Sequence, residues 1–150
     1  MSVSLIKGNL LDASQCVIVH QLNCLSTRGK GLSAAVAKRF PQANVYQTRT
    51  PSKSNPKVAI TKDRDIPGEI KVDKISSDKF IVGLFGQYDF GMPGTTGRTT
   101  LKEDNLQLRE LWFAECLTKL GIWLIKNKFS KVAMPYKIGC GLAKGNWQFF

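Results

Sequence analysis

Metal- and disulfide-forming side chains are scarce in this chain. It has a single histidine, His20, and four cysteines, at positions 16, 24, 116 and 140. The cysteines form no C-x-x-C pair, so a structural zinc site is not expected and no cofactor or metal is implied. Cys16 stands in an apolar run and is expected to be buried as a small hydrophobe. Long apolar runs are also missing. Gly121–Ile125 is typical of the longest, far short of the roughly 20 residues a membrane-spanning helix needs, so no membrane partner is expected. Residues 1–7 lack a basic stretch followed by a long apolar core, so no signal peptide is expected. The thiols are therefore read as the reduced thiols of an intracellular protein, in the cytoplasm or, in a eukaryotic or viral setting, the nucleus. No G-x-x-x-x-G-K-[ST], no G-x-G-x-x-G after the first strand and no G-x-S-x-G occurs, which removes the usual phosphate-loop, dinucleotide and serine-hydrolase signatures. Acidic residues are few as well. Eleven Asp and Glu face 22 Lys and Arg, a net charge of +11. The surplus runs through all three thirds of the chain and suits phosphorylated small molecules or nucleic acid.

What is present is enough for a packed core. The chain has 150 residues, 43% hydrophobic and 22% charged, which fits one domain over 1–150. Val3–Lys7 and Cys16–His20 read as strands, the second without alternation, as in a strand covered on both faces. Leu32–Phe40 reads as a helix stopped by Pro41. Val58–Ile60 and Ile70–Val72 read as short edge strands, Phe80–Phe85 as a buried strand and Val132–Pro135 as a short one. A helix is expected from about Lys102 to Asn127. Leu106, Phe113, Leu117, Leu120 and Leu124 lie on one face of it, widened by Leu111 and Trp112. Between these strands and helices, the glycine-rich stretch Gly86–Thr100 is expected to be a mobile binding element. Alternating strands and helices predict a three-layer α/β/α sandwich around a mixed, largely parallel sheet.

Ligands of open α/β sheets sit outside the carboxyl ends of the strands. Two glycine-bearing loops are expected there. One is Asn23–Gly31, ending in Arg28-Gly29-Lys30-Gly31 just before a helix. The other is Ile138-Gly139-Cys140-Gly141-Leu142-Ala143. Bare main chain and a helix start both favour an anion, and two such loops in a cationic chain point to a pyrophosphate.

Five segments stand out: K-G-N-L-L (7–11), V-I-V-H-Q-L-N-C (17–24), G-K-G-L-S-A-A-V-A-K-R-F-P (29–41), V-G-L-F-G-Q (82–87) and M-P-Y-K-I-G-C-G-L-A-K-G-N-W (134–147). Together they resemble the macro domain family, whose members bind ADP-ribose. The sequence looks closest to the ADP-ribose-1″-phosphate phosphatases of the yeast type and their phage and bacterial relatives. It is similar also to the terminal ADP-ribose protein glutamate-hydrolase branch. The resemblance implies that Asn9, with Leu10, meets adenine in place of the family's acidic residue, keeping an acceptor oxygen but no charge. It implies that Asn23 holds the distal ribose, with Gly29, Lys30, Gly31 and Leu32 against that ribose and its phosphate. Gly86 and Gln87 fall beside the ribose, and Ile138, Gly139, Cys140, Gly141 and Leu142 around the pyrophosphate. His20 matches the phosphatases' histidine and is expected, with Asn23, to be catalytic, since an imidazole can move a proton near neutral pH.

Two departures matter. Gly86 or Gln87 and Ala143 stand where the glutamate-hydrolase branch has its lysine and aspartate, and Asp89 is a spare nearby carboxylate. The family's last helix and strand, past Trp147, are expected to be missing, which would pass the adenine-stacking role to Phe149 or Phe150. The expected ligand is ADP-ribose or its 1″-phosphate, bound by a monomer that removes the 1″-phosphate. The alternatives are a non-catalytic reader of ADP-ribosylated protein, a hydrolase acting on it, and, from the charge, a nucleic-acid binder.

Overall fold

A computed structural model describes residues 3–138. Among these residues the sheet has three strands in the order β1 (Val17–Asn23), β3 (Lys79–Gln87), β2 (Ile70–Ser76). β1 and β3 run parallel, with Val19 beside Val82 and Asn23 beside Gln87, whereas β2 pairs antiparallel with β3. A parallel bridge from Ile18 to Ala133 extends the sheet past β1. The sheet is therefore mixed, as the sequence predicts.

The two faces of β1 sort its apolar run between two helices, because successive side chains of a strand point to opposite sides. Val17 and Val19 join Val82 and Leu84 under α2 (Leu106–Lys126), against Phe113, Cys116 and Leu120. Ile18 joins Ile81 under α1 (Gly31–Arg39), against Val36 and Ala43. One helix per face makes the three layers. At Gly83 a Cβ would lie 2.4 Å from Leu22 Cδ1, so glycine lets β1 and β3 keep their spacing there. Phe80 of β3 packs edge-on against both Trp123 and Phe129, with centroids 5.5 and 5.3 Å away, which fastens the last turns of α2 to the sheet.

Both helices start on recognisable caps. Lys30 is the extended N-cap of α1, and Gly31 follows at φ +56°, a conformation that costs a residue with a Cβ. Asn105 caps α2 by accepting from the Leu108 N–H at 2.9 Å. That cap begins the helix at Leu106, four residues later than the pattern suggests.

Several expectations fail, for reasons of packing. Val3–Lys7 is not a strand. Val3 and Ile6 are 87% and 80% exposed, and among the described residues the segment has no strand partner. Val58–Ile60 and Val132–Pro135 contribute only isolated bridges, at Val58, Ala59 and Ala133. Cys16 lies one residue before β1 and is exposed, so it is not a core thiol. Leu111 faces solvent, because the buried side of α2 runs through Arg109, Phe113, Cys116 and Leu120, whereas Leu106 shares the Phe113 side but is exposed as the first residue of the helix.

Leu84 is fully buried in the layer beneath α2. Leu84→Ala should therefore lower the unfolding free energy by about 2–5 kcal/mol, read from urea denaturation, with an unchanged m-value.

Candidate functional site

The parallel pairing brings the carboxyl ends of β1 and β3 together, so Asn23 and Gln87 stand side by side. The Asn23 side chain folds onto its own turn: Oδ1 accepts from Ser26 N at 2.9 Å and Leu25 N at 3.3 Å. Gln87 Oε1 accepts from Gln21 Nε2 at 2.7 Å. Gly86 lies beneath, where a Cβ would meet Gln21 Oε1 at 2.8 Å. The loop after β1 then delivers Gly29, Lys30 and Gly31 to the start of α1. A Cβ on Gly29 would sit 2.8 Å from the Tyr46 ring and 3.0 Å from the Ala34 nitrogen, so only glycine lets this loop lie flat on α1. Lys30 Nζ reaches 4.3 Å from the centre of the Phe90 ring, which joins this loop to the one after β3. Leu32 is on the exposed side of α1's first turn. Beside Gly29 opens a groove of about 380 Å³, with Arg28, Lys38, Asn44 and Gln47 in its walls.

These loops are held by buried arginines that sequence reasoning missed. Arg49 donates to the carbonyls of Asn23 (2.7 Å) and Ser26 (2.8 Å) and pairs with Asp65 at 2.6 Å. Arg98 pairs with Asp89 and donates to Ser26 Oγ (2.8 Å) and the Lys57 carbonyl (3.2 Å). Arg109 grips Asp104 through two bonds of 2.7 Å and donates to the carbonyls of Asp89 and Gly91. Asp89 is thus not a spare carboxylate, because it also accepts from Thr96 Oγ1 and the Phe90 N–H. Nor is the glycine-rich stretch loose. It is fastened along its length by Asp89, Thr96, Arg98 and Asp104. Nothing in the local sequence pattern marks these residues, since each partner lies in a different turn.

Of the remaining expected residues, those that are described are not brought to this mouth. His20 is on the face of β1 that carries Ile18 and Leu22, beside Gly83, and is 2% exposed. Its Nδ1 has no hydrogen-bond partner. Burial pushes its pKa down to about 4, because removing water penalises the imidazolium. A neutral, enclosed imidazole does not fit the proton-moving role expected from the sequence. Asn9 is exposed and caps a short 3-10 turn, Leu10–Asp12, accepting from the Leu11 N–H at 3.0 Å. Asp12 ties that turn to Arg39, in the last turn of α1, at 2.9 Å. Leu10 packs against the core beneath α1, so neither Asn9 nor Leu10 joins Asn23 and Gln87. Ile138 is buried in the core under α2, and Gly139, Cys140, Gly141 and Leu142 lie outside the described residues. Burial raises the thiol pKa of Cys24, and raises that of Cys116 to about 12, so both are unreactive. Among the described residues no group of three His, Cys, Asp or Glu could hold a metal.

No family model and no curated protein matches the chain. Solved structures do. The macrodomain of Mycobacterium tuberculosis DarG aligns with a TM-score of 0.66 at 18% identity, over 95% of this chain and 80% of that one. The chain has a macro-domain-like fold. A protein of unknown function from Bacteroides thetaiotaomicron aligns similarly, with a TM-score of 0.65 at 22% identity, over 96% of this chain and 82% of its own.

His20 titrates near 6.5 in an unfolded chain and near 4 here, so the unfolded chain takes the proton first. Its contribution should be complete above about pH 6.5 and lost as pH falls towards 4, amounting to about 3 kcal/mol. Urea midpoints measured across that window should fall, and His20→Leu should flatten the slope. Arg98→Met should expose the other side of the site. It strands the buried Asp89 carboxylate, at a cost of about 3–5 kcal/mol, and amide exchange should speed up first in residues 89–98.

Proposed function

We propose that this protein binds ADP-ribose, with the diphosphate and distal ribose at the carboxyl ends of β1 and β3. The observation that carries this reading is the Asn23–Gln87 juxtaposition, followed within the same loop by Gly29, Lys30 and the start of α1. The N–H groups of a helix's first turn have no intrahelical partner and carry partial positive charge, which suits a phosphate. Lys30 adds a full charge at that end. Asn23 Oδ1 is committed to its own turn, so its amide N–H₂ is the group left to meet a ribose hydroxyl. The macro-domain-like fold and the motifs at 17–24 and 29–41 support the same ligand. The glycines at 139 and 141 are proposed to complete the diphosphate cradle, as the sequence resemblance implies.

Recognition without turnover fits the described residues better than release of a 1″-phosphate. The only histidine is enclosed and held neutral, and Asp89 is consumed by Arg98. A reader of ADP-ribosylated protein would use the same mouth. Phosphate release from ADP-ribose-1″-phosphate that disappears in His20→Ala would reverse that preference.

Thermal shift and calorimetry with ADP-ribose, ADP, AMP and NAD test the binding itself. ADP-ribose at about 100 times its Kd should add about 2.7 kcal/mol of stability, with smaller effects from the other three. Asn23→Ala should weaken binding about tenfold, the loss expected of one buried hydrogen bond to the ligand. Equal shifts from all four nucleotides, or none from ADP-ribose, would overturn the reading.

A further inference from the structure

The groove of about 380 Å³ beside Gly29 continues the loop that begins at Asn23. That loop lines one side of it, at Arg28 and Gly29. Helix α1 lines another through Ala34 and Ala37, which share a face because they are three residues apart. Asn44 and Gln47 complete it, on the 3-10 turns that bring the chain back beside α1 after Pro41. The short side chains on α1 are what leave the space open.

The lining is specific in charge and in hydrogen bonding. Arg28 and Lys38 supply two cations, and no acidic residue lines the groove. Neither cation forms an ion pair among the described residues. The two amide side chains are half used. Asn44 Oδ1 accepts from the Tyr46 N–H at 3.1 Å, and Gln47 Nε2 donates to the Pro41 carbonyl at 3.4 Å. Among the described residues this leaves one donor, Asn44 Nδ2, and one acceptor, Gln47 Oε1. A peptide unit offers a carbonyl and an N–H to such a pair, whereas a phosphodiester offers acceptors only. Tyr46 also lines the groove but is 6% exposed, so no aromatic face is open for a nucleobase to stack on.

ADP-ribose is joined to protein through its distal ribose, the part that the binding reading sets against Gly29 and Lys30. We infer that this groove receives the polypeptide that carries the ADP-ribose and selects acidic residues beside the modified one. The inference rests on the ADP-ribose reading and adds a substrate class to it, ADP-ribosylated segments rich in Asp and Glu. Carboxylates of the segment meet Arg28 and Lys38, while its backbone meets Asn44 and Gln47.

Calorimetry of the full chain tests this with free ADP-ribose and with short peptides bearing one ADP-ribosyl serine, set between glutamates or between glycines. The glutamate peptide should bind about tenfold more tightly than free ADP-ribose, the glycine peptide within about threefold of it, and added salt should erase most of the difference. Lys38→Glu should remove the glutamate advantage while leaving the Kd of free ADP-ribose within about threefold. Ala34→Tyr, which fills the groove without changing its charge, should remove it too. Equal affinities for the glutamate peptide and free ADP-ribose would overturn this inference alone, as would an advantage that survives both variants. A larger gain from an ADP-ribosylated oligonucleotide than from the glutamate peptide would overturn it in favour of nucleic acid. Failure of free ADP-ribose to bind would overturn both the inference and the reading beneath it.

Discussion

Loops at the carboxyl ends of strands carry backbone carbonyls that neither helix nor ladder can satisfy, and burying them unpaired costs more than most side-chain contacts return. Here that constraint is met by arginines turned inward. Arg49, Arg98 and Arg109 each hold a carboxylate; Arg49 and Arg109 at the same time cap carbonyls of the turns that follow β1 and β3, and Arg98 caps that of Lys57. The guanidinium suits this work because it stays charged and presents several donors in one plane. Each arginine–carboxylate pair would be a weak source of stability if the charges were all it offered. Its value lies in ordering turns that are far apart in the chain, so that Ser26, Lys57 and Asp89 meet at one side chain.

The consequence for the site is rigidity at the mouth and neutrality beneath it. Asn23 is fixed twice, by its side chain on its own turn and by Arg49 on its carbonyl. A binding group held in that way loses little freedom when a ligand arrives, which favours affinity through preorganisation. The polar machinery is spent on loop order, and His20 lies away from it among apolar neighbours. A site arranged like this is better suited to recognising an anion with a sugar attached than to delivering a proton to it. The positive surplus of the chain would favour the proposed anionic ligand.

Most of the framework is readable along the chain. The unbroken apolar run of β1 announces a strand covered on both faces, and Pro41 marks a helix limit through local chemistry. The Asn23–Gly31 loop falls at a strand's carboxyl end, ahead of a helix, as its glycines imply. The errors cluster where a partner decides the outcome. Val3–Lys7 has strand composition but no strand beside it. Leu111 has the hydrophobicity of a core residue on the wrong side of α2. Asp89 looks idle until Arg98, nine residues on, folds back onto it.

By itself, then, the sequence determined the two helices, the three strands of the sheet and their order, because turn chemistry and hydrophobic period act over a few neighbouring residues. It also determined the cationic character and the glycine loops. Only the tertiary structure decided which face His20 occupies, which carboxylates are consumed by arginines, and that Asn23 meets Gln87 across a parallel pairing 64 positions away in the chain. Those outcomes depend on strand register and on contacts between distant turns, and a one-residue shift of register would turn every side chain to the opposite layer.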